Sequence, residues 1–156
     1  MSINEIRSTL PDCAKDIKIN LGNVLSEDIS NNLDKNQIYG IALACVYSLK
    51  NKRLIESAEQ DVEGILSLEQ INAAKGAATI MAMNNIYYRA LHFIDDSNLN
   101  KKPAGLRMNI IANHNINKVD FELYCLAVSA INGCGYCVSS HSKKLLSDGV
   151  SIDAVS

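Results

Sequence analysis

The sequence predicts an all-α chain, and three observations predict it. Only two prolines, Pro11 and Pro103, occur in 156 residues, so long stretches lack the residue that breaks helices. The period-2 alternation of Val, Ile and Thr expected of half-buried strands is absent. Capping residues stand ahead of apolar runs of helical length, as at Ser67 with Gln70 three positions on.

The elements follow in order. Ser2 caps a short first helix that stops before Pro11, and Pro11 suits the first turn of the next. That second helix carries Ala14, Ile17 and Leu21 as its apolar residues, with Gly22 as its stop. Residues 34–49 and 51–66 read as a helix pair. One long helical pattern runs from Ser67 to Ile94, and its middle, AAKGAATIMAMNN, is rich in small residues that permit close helix packing. DDSNLNKKPAG is a polar, exposed connection, followed by a short helix at LRMNIIAN. The next helix, FELYCLAVSAI, starts at Lys118 or Asp120 and ends at the turn dipeptide Asn132-Gly133. The last clear helix opens at a pair of cysteines and runs to about Asp148; at SIDAVS another begins. The whole, residues 1–156, is one domain of ordinary size.

Composition narrows the function. Hydrophobic residues make up 47% of the chain, enough for a globular core. A formal net charge of -2, with both signs interspersed, gives no electrostatic case for nucleic acid or an anionic membrane surface. The N-terminus lacks the apolar stretch of a signal peptide, and no apolar run reaches bilayer-spanning length. We expect a soluble cytoplasmic protein. Five cysteines, an odd and scattered set, argue against a disulfide scaffold. Cys13, Cys45 and Cys125 sit singly among apolar neighbours and read as buried small hydrophobes.

The chemistry concentrates in NGCGYCVSSHSKK, residues 132–144. Cys134 and Cys137 are three apart, at a helix start, where free N–H groups and the helix dipole stabilise a thiolate. His141 lies one turn beyond Cys137 on the same helix face, placed to take a thiol proton. If Asn132-Gly133 makes a tight hairpin, Glu122 lies roughly 15 Å before the turn and His141 roughly 12 Å after it, so the two face each other. Glu122 stands in an apolar run, where a histidine partner would satisfy its carboxylate and orient the ring. Zinc is the alternative use of such residues: Cys134, Cys137 and His141 give three ligands, and Glu122, His92 or His114 would have to supply the fourth. A zinc-stabilised helical scaffold without turnover, or a general disulfide reductase or redox sensor, are therefore competing readings. His92 and His114 are otherwise solitary and read as structural or solvated.

With Glu122, Cys134, Cys137 and His141 in this spacing, the chain resembles the alkyl hydroperoxidase D (AhpD) family, within the wider carboxymuconolactone decarboxylase-like superfamily. The resemblance extends to CAKDIKINLG, GAATIMAMNNIYYRA and LRMNIIANHNINKVDFELYCLAVSAINGC, and so covers nearly the whole chain. It implies an AhpD-like fold of two related helical units, assembled as a homotrimer. It implies reduction of organic hydroperoxides through a redox-active disulfide between Cys134 and Cys137, with no bound cofactor or metal. Cys137 would be the peroxide-reactive cysteine, Cys134 the resolving and partner-facing one, and Glu122 with His141 the proton relay. Electrons would come from a dihydrolipoyl group on the acyltransferase subunit of a 2-oxo acid dehydrogenase complex, and would also pass to the peroxiredoxin AhpC. The sequence departs from the best-known members at Tyr136, where they carry a histidine; a phenol is no base at neutral pH, although it can donate a hydrogen bond or hold a water. Family members also continue through a further helix beyond the position of Ser156.

Overall fold

Three helices begin with the same reciprocal cap. Ser2, Asp34 and Ser67 each accept the backbone N–H three residues on, while Glu5, Gln37 and Gln70 accept the cap's own N–H. Each pair satisfies two of the donors that a helix start leaves unpaired. The structure is a computed structural model that describes residues 1–29 and 32–156. Among the described residues it holds ten α-helices and no strand, so the chain is all-α.

The helices are α1 (Ile3–Ser8), α2 (Lys15–Val24), α3 (Lys35–Leu49), α4 (Lys52–Asp61), α5 (Leu68–Ile94), α6 (Ser97–Asn100), α7 (Asn109–Ala112), α8 (Lys118–Ile131), α9 (Gly135–Ser147) and α10 (Ile152–Val155). The centre is built from α3, α5 and α8, which pack on one another. Their contact faces meet through Leu43 and Ala44, Ala74, Ala77 and Met81, and Tyr124 and Val128. The alanines of α5 bring its backbone close to both neighbours, as the small-residue stretch predicts. Opposite α5, Gly40 of α3 leaves room for the Tyr124 ring; a Cβ there would lie 2.0 Å from the phenol oxygen. Helix α9 folds back along α8 and also touches α5.

Several expectations are corrected. Gly22 does not stop α2, which runs through it to Val24. The glycine instead makes room for Arg7, whose guanidinium occupies the place of a Cβ. Pro11 is not in the first turn of α2; it caps a short 3-10 turn, Asp12–Ala14, that precedes the helix. Ile17 is 62% exposed, and the inward face of α2 falls instead on Leu21, with Leu25 just beyond its end. Helix α4 ends at Asp61, short of residue 66, and Val62 and Leu66 enter the core from the turn around Gly64, where φ is +75°. The polar connection contains a helix of its own, α6, capped by the Asp96 side chain. Cys13 is exposed, not buried.

Candidate active site

The corner between α8 and α9 is fixed by backbone chemistry. Gly133 takes φ +67°, the left-handed region that glycine enters without Cβ strain. Its N–H donates to Ala130 O at 3.1 Å, and the Cys134 N–H donates to Ser129 O at 3.1 Å. This is the Schellman pattern, which closes α8 and turns the chain in one step. The next residue begins the following helix: Cys134 is the N-cap of α9, and its sulfur accepts from the Cys137 N–H at 3.4 Å.

Buried side chains hold the corner from below. Asn85 of α5, fully buried, donates to Ser129 Oγ at 2.9 Å and accepts from the Asn132 side chain at 2.9 Å. Arg89, one turn further along α5, donates to the Asn132 carbonyl oxygen. Four residues on two helices therefore fix the peptide that precedes the cysteines. Sequence reasoning named Asn132 as a turn residue but missed Asn85, Arg89 and Ser129; the signal was the Asn84-Asn85 pair beside the small-residue stretch of α5, where a buried amide is retained only with partners.

The structure brings together all four candidates. Cys134 and Cys137 are joined as a disulfide, with Cα atoms 5.3 Å apart. Their residues are 0% and 4% exposed. His141 Nδ1–H donates to Glu122 Oε2 at 2.6 Å, both side chains being mostly buried. With Nδ1 committed to the carboxylate, Nε2 is the nitrogen free to take a proton. Cys137 and His141 also line one wall of a cavity of about 210 Å³, whose other walls include Met81 and Asn84 of α5 and Met108 and Ile111 at α7. The cavity gives a small molecule access to the buried sulfur and places an imidazole beside it. In the reduced form, a Cys137 thiol with a base on the same cavity wall and Met and Ile side chains opposite suits attack on a weak, polarisable bond.

Tyr136 lines the outer part of the same cavity, together with Tyr88. It is 61% exposed, and its ring stacks on Tyr88 at 5.4 Å between centroids. Cys134, which the resemblance makes partner-facing, is closed off from solvent in this disulfide form. The other cysteines lie outside the site, and burial pushes the Cys45 thiol up to about 11 and the Cys125 thiol up as well. His114 stacks on Phe121 and accepts the Ile116 N–H at 3.3 Å, a structural role; His92 is exposed. Among the described residues no three His, Cys, Asp or Glu side chains gather as metal ligands.

Comparison with known proteins agrees with this arrangement. Residues 98–156, from α6 through the cysteine-bearing helix to α10, match the Carboxymuconolactone decarboxylase family, which sets the broad class. An alkyl hydroperoxide reductase AhpD of Coxiella burnetii (strain Dugway 5J108-111) is 54% identical over 145 residues, covering 93% of this chain and 82% of the relative. The AhpD of Rhizorhabdus wittichii is 46% identical over 155 residues, covering 99% of this chain and 88% of its own. That of Streptomyces griseus is 44% identical over 155 residues, covering 99% and 86%. At that identity over nearly its full length, the chain belongs to the AhpD family.

Proposed function

We propose that this protein reduces alkyl hydroperoxides by cycling Cys134 and Cys137 between dithiol and disulfide. One observation carries the reading: the two sulfurs are bonded at the start of α9, beside a cavity into which a Glu122-oriented His141 also faces. The names of the relatives, alkyl hydroperoxide reductase AhpD, support the same substrate class.

The residues divide the work as follows. His141 Nε2 takes the Cys137 thiol proton, and Glu122 stabilises the imidazolium that results. The Cys137 thiolate attacks the terminal oxygen of the hydroperoxide; the O–O bond breaks, and the departing alkoxide takes the proton from His141. Cys137 is then a sulfenic acid and the other product an alcohol. The Cys134 sulfur displaces the hydroxyl as water, with the Cys134 proton completing it, and the disulfide forms. A dithiol must then return two electrons by exchange. We assign that role to a dihydrolipoyl group on the acyltransferase subunit of a 2-oxo acid dehydrogenase complex, with AhpC as a second electron acceptor, a homotrimer as the working assembly and the cytoplasm as its place.

The test is peroxide-dependent NADH oxidation, reconstituted with dihydrolipoamide dehydrogenase, with and without a lipoylated acyltransferase and AhpC. Turnover of cumene hydroperoxide that requires the lipoyl protein and is abolished by Cys137→Ser is expected. A zinc scaffold would show instead one equivalent of zinc per chain and no turnover.

A further inference from the structure

Two neighbouring asparagines on α5 are buried, and only one is satisfied. Asn85 has partners at both ends of its amide, Ser129 and Asn132. Asn84 is 5% exposed, its Nδ2–H donates to the Met108 thioether sulfur at 3.4 Å, and its Oδ1 has no partner. The orientation is chemically determined, because a flipped amide would set oxygen against sulfur, acceptor against acceptor. A buried acceptor without a donor is costly, so a side chain of this kind is retained where something else supplies the donor. Asn84 lines the cavity that Cys137 and His141 also line. His141 is bound to Glu122 and Cys137 is the reacting atom, while Tyr88, Tyr136 and Ser140 also line the cavity; Asn84 is the lining residue that is buried with an acceptor left unpaired.

We infer that Asn84 is the substrate-binding residue of this cavity, accepting the O–H of the hydroperoxide, while Met81, Met108 and Ile111 receive its alkyl group. The inference rests on the peroxide-reducing reading above and adds to it the residue that orients the substrate. The chemistry is complementary. A hydroperoxide carries one donor, its terminal O–H, and that same oxygen is the one the thiolate attacks. A hydrogen bond from it to Asn84 Oδ1 aims the O–O bond while leaving the alkoxide side free for the proton from His141. The proton stays on the transferred oxygen, so the contact persists to the Cys137 sulfenic acid. The Asn84 oxygen is closed off from solvent in the disulfide form. Its amide is held only by the weak N–H···S contact, and the terminal torsion of asparagine is broad, so it turns toward an arriving donor at small cost. The Met81, Met108 and Ile111 walls should favour an alkyl group over a second O–H on their side of the cavity, where they offer it no strong acceptor.

Stopped-flow oxidation of the reduced full chain by cumene hydroperoxide, and separately by hydrogen peroxide, tests this. Asn84→Leu keeps the volume and removes the acceptor. It should slow oxidation by cumene hydroperoxide about 10-fold, the worth of one lost hydrogen bond. Reduction of its disulfide by free dihydrolipoamide should match the parent, which also reports an intact α8–α9 corner. Ile111→Phe narrows the cavity from a short helix at the edge of the core, where Ile111 is half-buried, and should lower the ratio of cumene hydroperoxide to hydrogen peroxide rates several-fold. If Asn84→Leu is oxidised at the parent rate, or Ile111→Phe leaves the ratio unchanged, the assignment is overturned. A parent protein that no hydroperoxide oxidises would sink the functional reading itself, a distinct result.

Discussion

At the scale of single residues, the Glu122–His141 pair is the feature whose chemistry is most directly testable. The 2.6 Å bond to Nδ1 leaves Nε2 as the base and supplies a counter-charge for the imidazolium. Glu122→Gln keeps the shape and removes that charge. Peroxidase activity should fall by about 10- to 1,000-fold, within the range of general-base effects. His141→Ala should cost a similar factor, and the double variant little more, because the two act as a unit. Additive losses in steady-state assays would mean that they act separately. Tyr136 is different in kind. Its exposed ring stacks on Tyr88, so Tyr136→Phe, which keeps the stack, should change Cys137 oxidation little across pH. A large loss in the Phe variant would return its hydroxyl to the proton path.

At the scale of elements, the α8–α9 corner carries the site. Gly133 must sit at positive φ for the Cys134 N–H to reach Ser129 O, so Gly133→Ala strains the turn by about 1–2 kcal/mol. We expect a lower unfolding midpoint by calorimetry, together with slower disulfide closure after one equivalent of peroxide, because the turn positions Cys134. Unchanged closure would show that the helix cap tolerates a reshaped corner. This corner was legible in the sequence: Asn132-Gly133, the cysteine spacing and the one-turn offset of His141 are local signals, and rise per residue alone placed Glu122 opposite His141. The caps at Ser2 and Ser67 were legible for the same reason. What was not legible depends on packing between distant segments. Gly22 looked like a stop because nothing nearby in sequence says that Arg7 fills the space beneath it. Ile17 looked internal because helical periodicity does not say which face a neighbour covers. The cavity is formed by α5, α7 and α9 together, and no window of sequence contains it.

At the scale of the whole molecule, the all-α core and the site share α8. Tyr124, Cys125 and Val128 lie in the core while Glu122 reaches His141, so on the proposed function stability and activity are linked through one helix. His114, just ahead of α8, extends this link to pH. Burial holds its pKa below the ordinary 6.5; Lys118 acts in the same direction and Glu122 against it. The unfolded chain therefore takes up the proton first as pH falls, and the folded state is favoured while the ring is neutral. Stability from this residue is fully present above about 6.5 and declines as pH drops toward the lower folded value. Thermal unfolding from pH 7.5 to 5 should show this loss, and His114→Gln should flatten it. An unaltered slope in the variant would assign the pH dependence to other groups. Among the described residues no helix is long and apolar enough to cross a membrane.

The covered Cys134 sulfur has a consequence for how the protein stores electrons. A disulfide exchanges only as fast as a thiolate can reach it in line. With Cys134 at 0% and Cys137 at 4% exposure, the disulfide is approached through the cavity beside Cys137, which admits a slender molecule more readily than a bulky thiol such as glutathione. On the proposed function, the oxidised protein should exchange slowly with glutathione, and its charge state should follow the partner able to open that approach. It would then act as a metered relay: current flows when a matched donor docks, and ambient redox potential leaks through only at the rate at which the start of α9 breathes.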